Sequence, residues 1–118
     1  AKRKGAQQEL LKKAAELSKV GDADVIIINP THYAVALQYR PATMRAPVVL
    51  AMGRGWLAQR IIMLARERGV LVLRRPPLAR LLHALADINS PIPEVTQTDV
   101  AHVYRWILAM PGNKVLTS

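Results

Sequence analysis

Val25-Ile26-Ile27-Ile28 is the stretch that most limits what this chain can become. All four side chains are β-branched and apolar with no polar alternation, which suits a strand covered on both faces. A sheet that apolar needs helices on either side to shield it. Tyr33 to Tyr39 reads as a second strand. Between the two lies Asn29-Pro30-Thr31-His32, which sets a proline and three polar side chains directly against the apolar run.

The rest of the chain supplies the covering layers. After the turn-rich Arg40-Pro41-Ala42-Thr43, Pro47 to Met52 forms a third strand. Gly53 and Gly55 bracket the next junction. Trp56 to Arg68 follows as a helix with Leu57, Ile61, Leu64 and Ala65 inward, capped by Gly69. Val70 to Leu73 gives a short fourth strand. Pro76-Pro77 opens a helix with Leu78, Leu81, Leu82 and Leu85 on one face, Asp87 to Pro93 is loop, and a last helix runs from Glu94 to Met110 with Val100, Val103 and Ile107 inward. Ahead of the strands, Glu9 to Val20 carries Leu10, Ala14 and Leu17 at helical spacing, with Glu9–Lys13 and Lys12–Glu16 pairs and Gly21 as a stop. The order β-β-β-α-β-α-α predicts an α/β fold, a small mixed four-stranded sheet covered by helices with an N-terminal linker helix. Residues 1–21 are expected to be that basic linker, 22–110 the α/β domain and 111–118 a frayed tail.

With 118 residues, 51% of them hydrophobic, one core is expected. No stretch approaches the roughly twenty consecutive apolar residues that cross a bilayer, and no signal peptide is visible, so this piece is expected to be soluble. The chain has no cysteine, which excludes a disulfide scaffold and thiolate chemistry. A net charge of +9 raises the question of nucleic acid. Lys2, Arg3, Lys4, Lys12, Lys13 and Lys19 hold much of the excess in the first segment, and few aromatics are available for base stacking, so nucleic acid is the minority reading. A basic arm beside a membrane surface, or a solvated helical face, accounts for the charge at least as well.

Asn29-Pro30 carries specific chemistry. Asparagine usually ages when the next backbone nitrogen attacks its side-chain carbonyl, a route closed by proline, whose nitrogen has no hydrogen. The opposite attack stays open: the Asn29 side-chain nitrogen closes on the Asn29 main-chain carbonyl, forms a succinimide and expels the Pro30 nitrogen. A useful rate needs the amide held near the carbonyl carbon, since orientation is worth about 7–11 kcal/mol of barrier. The developing oxyanion needs a donor and the new amine needs a proton. Thr31 is a candidate to orient the turn, and His32 to donate or accept a proton, directly or through water. The same four residues also fit an inert turn, because Asn-Pro is an ordinary turn dipeptide and a lone histidine at a strand end is more often structural.

The pattern extends beyond these residues. Asn29-Pro30-Thr31-His32 continues as Tyr33-Ala34-Val35-Ala36-Leu37, then Met44, Ala46-Pro47-Val48-Val49, Pro76-Pro77-Leu78-Ala79-Arg80 and Ile92-Pro93-Glu94. Over about residues 23 to 110 the chain resembles the cytoplasmic domain of the type III secretion export switch family, found in flagellar export gates and injectisomes, with a lean toward the flagellar branch. The resemblance implies a membrane-embedded part ahead of a linker, residence as a cytoplasmic domain of a bacterial inner-membrane protein, and self-cleavage at Asn29-Pro30 with both fragments staying associated. It implies a switch from early to late secreted proteins, and as partners other export-gate subunits, a substrate-length ruler protein and the secreted substrates. Members often have lysine at the position of Met52, and many flagellar members have asparagine at that of Arg75, departures that bear on partner contacts more than on the cut.

Other features have plainer readings. Gly53-Arg54-Gly55 is too short for a phosphate-binding loop and reads as a strand-to-helix hinge. His32, His83 and His102 lack metal-ligand spacing, and neither metal nor cofactor is expected. His83 and Asp87, one helical turn apart, read as a surface pair, and Trp56 and Trp106 as core or half-buried anchors. Arg54, Arg75 and Arg80 are candidate partner contacts. The alternative function is a non-cleaving basic module that binds proteins or nucleic acid, and a conventional enzyme with a separate substrate finds no second constellation here.

Overall fold

The computed structural model describes residues 2–111, so the expected tail lies, from residue 112 on, outside the described residues. Its elements are α1 (Lys2–Ser18), β1 (Val25–Asn29), β2 (Tyr33–Gln38), β3 (Val48–Arg54), α2 (Trp56–Glu67), β4 (Leu71–Arg74), α3 (Pro76–Leu85) and α4 (Gln97–Leu108), with 3-10 turns at Val20–Asp22 and Glu94–Thr96. The sheet is mixed and four-stranded in the order β3-β2-β1-β4. β1 runs antiparallel to β2 and parallel to β4, and β2 antiparallel to β3.

The apolar run of β1 lies at the centre of that sheet. Val25, Ile26 and Ile27 are fully buried and Ile28 is 8% exposed. Alternation sends Val25 and Ile27 to one face, where they pack with Val35, Leu37, Val49 and Leu73 against α3 and α4. Ile26 and Ile28 go to the other, with Ala34, Ala36, Leu50 and Ala51 against α2. Each fully buried Val or Ile contributes about 1.5–3 kcal/mol, so β1 is anchored from both layers at once.

Several sequence expectations need correction. α1 begins at Lys2 rather than Glu9; within its narrow stripe, Leu10 is 69% exposed and Ala14 is exposed, while Leu17 packs on the α2-side core. Its ion pair joins Lys13 to Glu16 at 3.8 Å. On α2 the buried face is Ala58, Ile61, Ile62 and Ala65, with Leu57 and Leu64 only partly buried. On α3 it is Leu78, Ala79 and Leu82, leaving Leu85 52% exposed, because the small Ala79 lets the helix approach the sheet with that edge turned inward. Trp56 is 75% exposed and Trp106 46%, so Trp56 is neither core nor half-buried; it opens α2 on the side away from Ala58 and Ile61. The last helix starts with the Glu94–Thr96 3-10 turn before α4.

The two sheet edges differ. Along β3 the loop after α3 returns to pair, with Asn89 N–H on Val49 O at 2.7 Å, Val49 N–H on Ser90 O at 3.0 Å and Ile92 N–H on Pro47 O at 2.9 Å. Asn89 is the one described non-glycine residue with positive φ, at 61°, a conformation that asparagine tolerates. β4 forms the opposite edge and ends beside the β1–β2 turn.

Candidate functional site

Register brings the polar tetrapeptide into a closed geometry. Asn29 is the last residue of β1 and pairs with Tyr33, the first of β2, so Pro30, Thr31 and His32 form the connection. The turn closes with His32 N–H donating to the Asn29 carbonyl at 2.9 Å. Neighbouring elements hold the flanking carbonyls. Arg75 N–H, just past β4, donates to Ile28 O at 3.0 Å, and Gly55 N–H, between β3 and α2, to His32 O at 3.0 Å. Gln59 Nε2, on the first turns of α2, donates to Pro30 O at 2.8 Å.

The carbonyls of Ile28, Asn29, Pro30 and His32 are thus each held by a separate donor. The half-buried Asn29 side chain, by contrast, has no hydrogen-bond partner among the described residues. A donor-held carbonyl and a side-chain amide with no other hydrogen bond are two things that intramolecular attack requires, the donor on the oxygen standing where such an attack would place negative charge. Thr31 and His32 are exposed, which gives their side chains access to water.

Thr31, His32 and Tyr33 line a shallow recess with Arg54, Gly55 and Trp56. Arg54 therefore stands beside the turn. Arg75 supports it through its backbone, while its guanidinium donates to Arg74 O at 2.8 Å. Arg80 is exposed on α3. The rings of Tyr33 and His83 are 4.7 Å apart, so His83 belongs to this neighbourhood rather than to a pair with Asp87. Burial lowers the pKa of His83, and the positive charges of Arg54 and then Lys13 lower it further. Among the described residues, no three His, Cys, Asp or Glu side chains converge on a common point.

Sequence reasoning passed over Gln59, and Gly55 was read only as part of a hinge; nothing in their local pattern points at a turn some 25 residues upstream. It also passed over Asp24, at the other end of β1. Asp24 is 8% exposed and accepts from Tyr39 N–H at 2.6 Å, Arg40 Nη1 at 2.8 Å and Tyr104 Oη at 2.7 Å.

Compared with known proteins, residues 1–107 match the model of the FlhB HrpN YscU SpaS family. The flagellar biosynthetic protein FlhB of Yersinia enterocolitica is 44% identical over 101 residues, which take in 86% of this chain and 26% of that protein. Among solved structures, the cytoplasmic domain of FlhB from Shewanella putrefaciens aligns with a TM-score of 0.77 at 35% identity, covering 81% of this chain and 74% of that one. The C-terminal domain of a mutated EscU aligns with a TM-score of 0.73 at 30% identity, covering 77% and 97%. The chain spans about a quarter of the length of the curated relatives it matches.

Proposed function

This chain belongs to the FlhB HrpN YscU SpaS family, and from that membership we propose that it is the cytoplasmic switch domain of a type III export component that cuts its own backbone once, between Asn29 and Pro30. Asn29 Nδ2 attacks the Asn29 main-chain carbon. The carbonyl oxygen takes up negative charge against the His32 N–H, and collapse of the tetrahedral centre breaks the bond to Pro30, whose nitrogen leaves as a protonated secondary amine. The proton that Nδ2 loses passes through water or the exposed His32 ring to the Pro30 nitrogen, which takes its second proton from solvent, and Thr31 orients the turn. The first piece ends in a succinimide, which water later opens to asparagine or its iso form.

The observation that carries this reading is the pairing of a donor-held Asn29 carbonyl with a free Asn29 side-chain amide. The exposed turn also allows separation of the new ends without disturbing the strands on either side. On the same reading, residues 1–21 link the domain to a membrane-embedded part in the bacterial inner membrane. The domain changes the export apparatus from early to late secreted proteins, and meets other gate subunits, a length-ruler protein and secreted substrates, with Arg54, Arg75 and Arg80 as contacts.

Intact mass and a denaturing gel of the purified protein test the cut. Two pieces are expected, with the 1–29 piece one water lighter until the succinimide opens, and Asn29→Ala should give a single chain. One intact species from the parent protein overturns the proposal and leaves the non-cleaving binding module.

A further inference from the structure

Asp24 is nearly excluded from solvent, with its side chain 3% exposed, yet the cleavage chemistry at the far end of β1 does not use it. Its three donors share one property. Tyr39 N–H and Tyr104 Oη meet Oδ2 at 2.6 and 2.7 Å, Arg40 Nη1 meets Oδ1 at 2.8 Å, and all three lie on the far side of the Asn29-Pro30 bond in sequence. Asp24 itself lies on the near side. Resting on the self-cleavage reading, we propose that Asp24 is a positioning residue that clamps the 1–29 piece to the 30–118 piece after the cut.

The location of this clamp gives it a kinetic role. The cut frees the strand at Asn29, so separation begins there and peels β1 back toward Val25, breaking the ladders to β2 and β4 in turn. Asp24 is the next residue, and it is the buried charged contact in that path. Withdrawing it leaves the Tyr104 hydroxyl, whose residue is 5% exposed, without its acceptor, and leaves the Arg40 guanidinium without its counter-ion. A buried polar group that loses a charged partner carries its full desolvation cost, which raises the barrier to release. The other side-chain hydrogen bonds across the cut are weaker in kind. Lys19 Nζ to Asn89 Oδ1 at 3.0 Å and Gln38 Nε2 to Asp22 O at 3.0 Å are solvent-exposed.

The clamp also joins the cut strand to the outer wall of the domain. The Tyr39 and Tyr104 rings meet edge to face at 5.8 Å, and both line a groove with Arg45, Pro47 and Val100. Loss of the 1–29 piece therefore removes the carboxylate that holds the Tyr39 backbone N–H and the Tyr104 hydroxyl beside that groove.

The test uses the protein with an affinity tag on its N-terminus, held on resin after cleavage. Release of the 30–118 piece is followed over time in mild urea. Asp24→Asn keeps the shape but removes the charge, and should speed release about 10- to 100-fold. Tyr104→Phe, which removes one of the donors, should speed it less, and Lys19→Ala should leave the rate within about 2-fold. In an uncut Asn29→Ala background the Asp24→Asn protein should melt cooperatively with a native circular dichroism spectrum, which separates a lost clamp from a failure to fold; should it not fold, Tyr104→Phe decides alone. Release of both clamp variants at the parent rate overturns the clamp. Should the parent run as one band, the cleavage reading falls while the clamp is still tested, on a variant with a protease recognition sequence in place of Pro30–His32, nicked by that protease.

Discussion

Gly53→Ala tests how closely β3 and the first turn of α2 are fitted beside the candidate site. A Cβ added at Gly53 would lie 2.5 Å from Leu57 Cγ, 2.7 Å from Cδ2 and 3.0 Å from Cβ. Carbon atoms pack at about 3.5–4.0 Å, so the intrusion is close to an ångström. A rotamer change can move Cγ and Cδ2. Leu57 Cβ is fixed to the backbone, so the start of α2 must shift as well. Overpacking of this kind costs about 1–3 kcal/mol. At about 4 °C of melting temperature per kcal/mol for a domain of this size, Gly53→Ala should melt about 4–12 °C lower. Leu57→Ala removes the two nearest atoms and, being only partly buried, should cost less than the roughly 2–5 kcal/mol of a core leucine. The double variant should then be more stable than the sum of the single effects predicts, by about 1–2 kcal/mol in a denaturant cycle. Additivity within about 0.5 kcal/mol would show that Leu57 is not what excludes a side chain from position 53. Because the same junction carries Gly55 N–H to His32 O and Gln59 to Pro30 O, the single Gly53 variant should also cleave more slowly.

Gly55→Ala should behave differently. Its φ of 61° and ψ of −131° belong to a region essentially confined to glycine, while no atom lies within 4 Å of an added Cβ, so its cost of about 1–3 kcal/mol is backbone strain that Leu57→Ala cannot relieve. Rescue of Gly55→Ala by Leu57→Ala in the same denaturant assay would refute that distinction. The lowered pKa of His83 gives a pH dependence with a definite sign. The folded state favours neutral imidazole and the unfolded chain takes up a proton near its ordinary value, so the contribution is complete above about pH 6.5 and is lost as pH falls through the folded pKa. His83→Gln should therefore flatten the decline in stability between neutral and mildly acidic pH; an unchanged slope by urea unfolding rules His83 out as its source.

Much of the fold was legible because its strongest signals are local. A run of β-branched residues with no polar alternation fits only a strand buried on both faces, and β1 is the central strand with a core on each side. Prolines at 76 and 77 start α3, and glycine at 69, with φ of 73°, follows α2, as the residue types dictate. The errors fall where a local pattern left two faces open. On α3, leucines at 78, 81, 82 and 85 mark a stripe, but Ala79 gives the closer approach, so the buried face is rotated and Leu85 is left in solvent. The strand order and the pairing of loop 89–92 with β3 depend on contacts between distant segments, and no residue type announces them.

The candidate site shows the same division more sharply. Asn29, Pro30, Thr31 and His32 state which bond can break and which nitrogen can leave, since that is a property of the side chains. They do not state whether the turn is held, and an Asn-Pro turn with loose carbonyls would be inert. The holding groups are Arg75 N–H, Gly55 N–H and Gln59 Nε2, two of them backbone amides that any residue other than proline supplies. Their contribution is invisible in composition and arises only because β4 runs parallel to β1 and the β3–α2 junction passes the same turn. The tetrapeptide alone is therefore ambiguous between a punctuation mark and a reaction centre. What the sheet built by the apolar run adds is the held geometry, with β1 paired to β2 on one side and to β4 on the other right up to the turn.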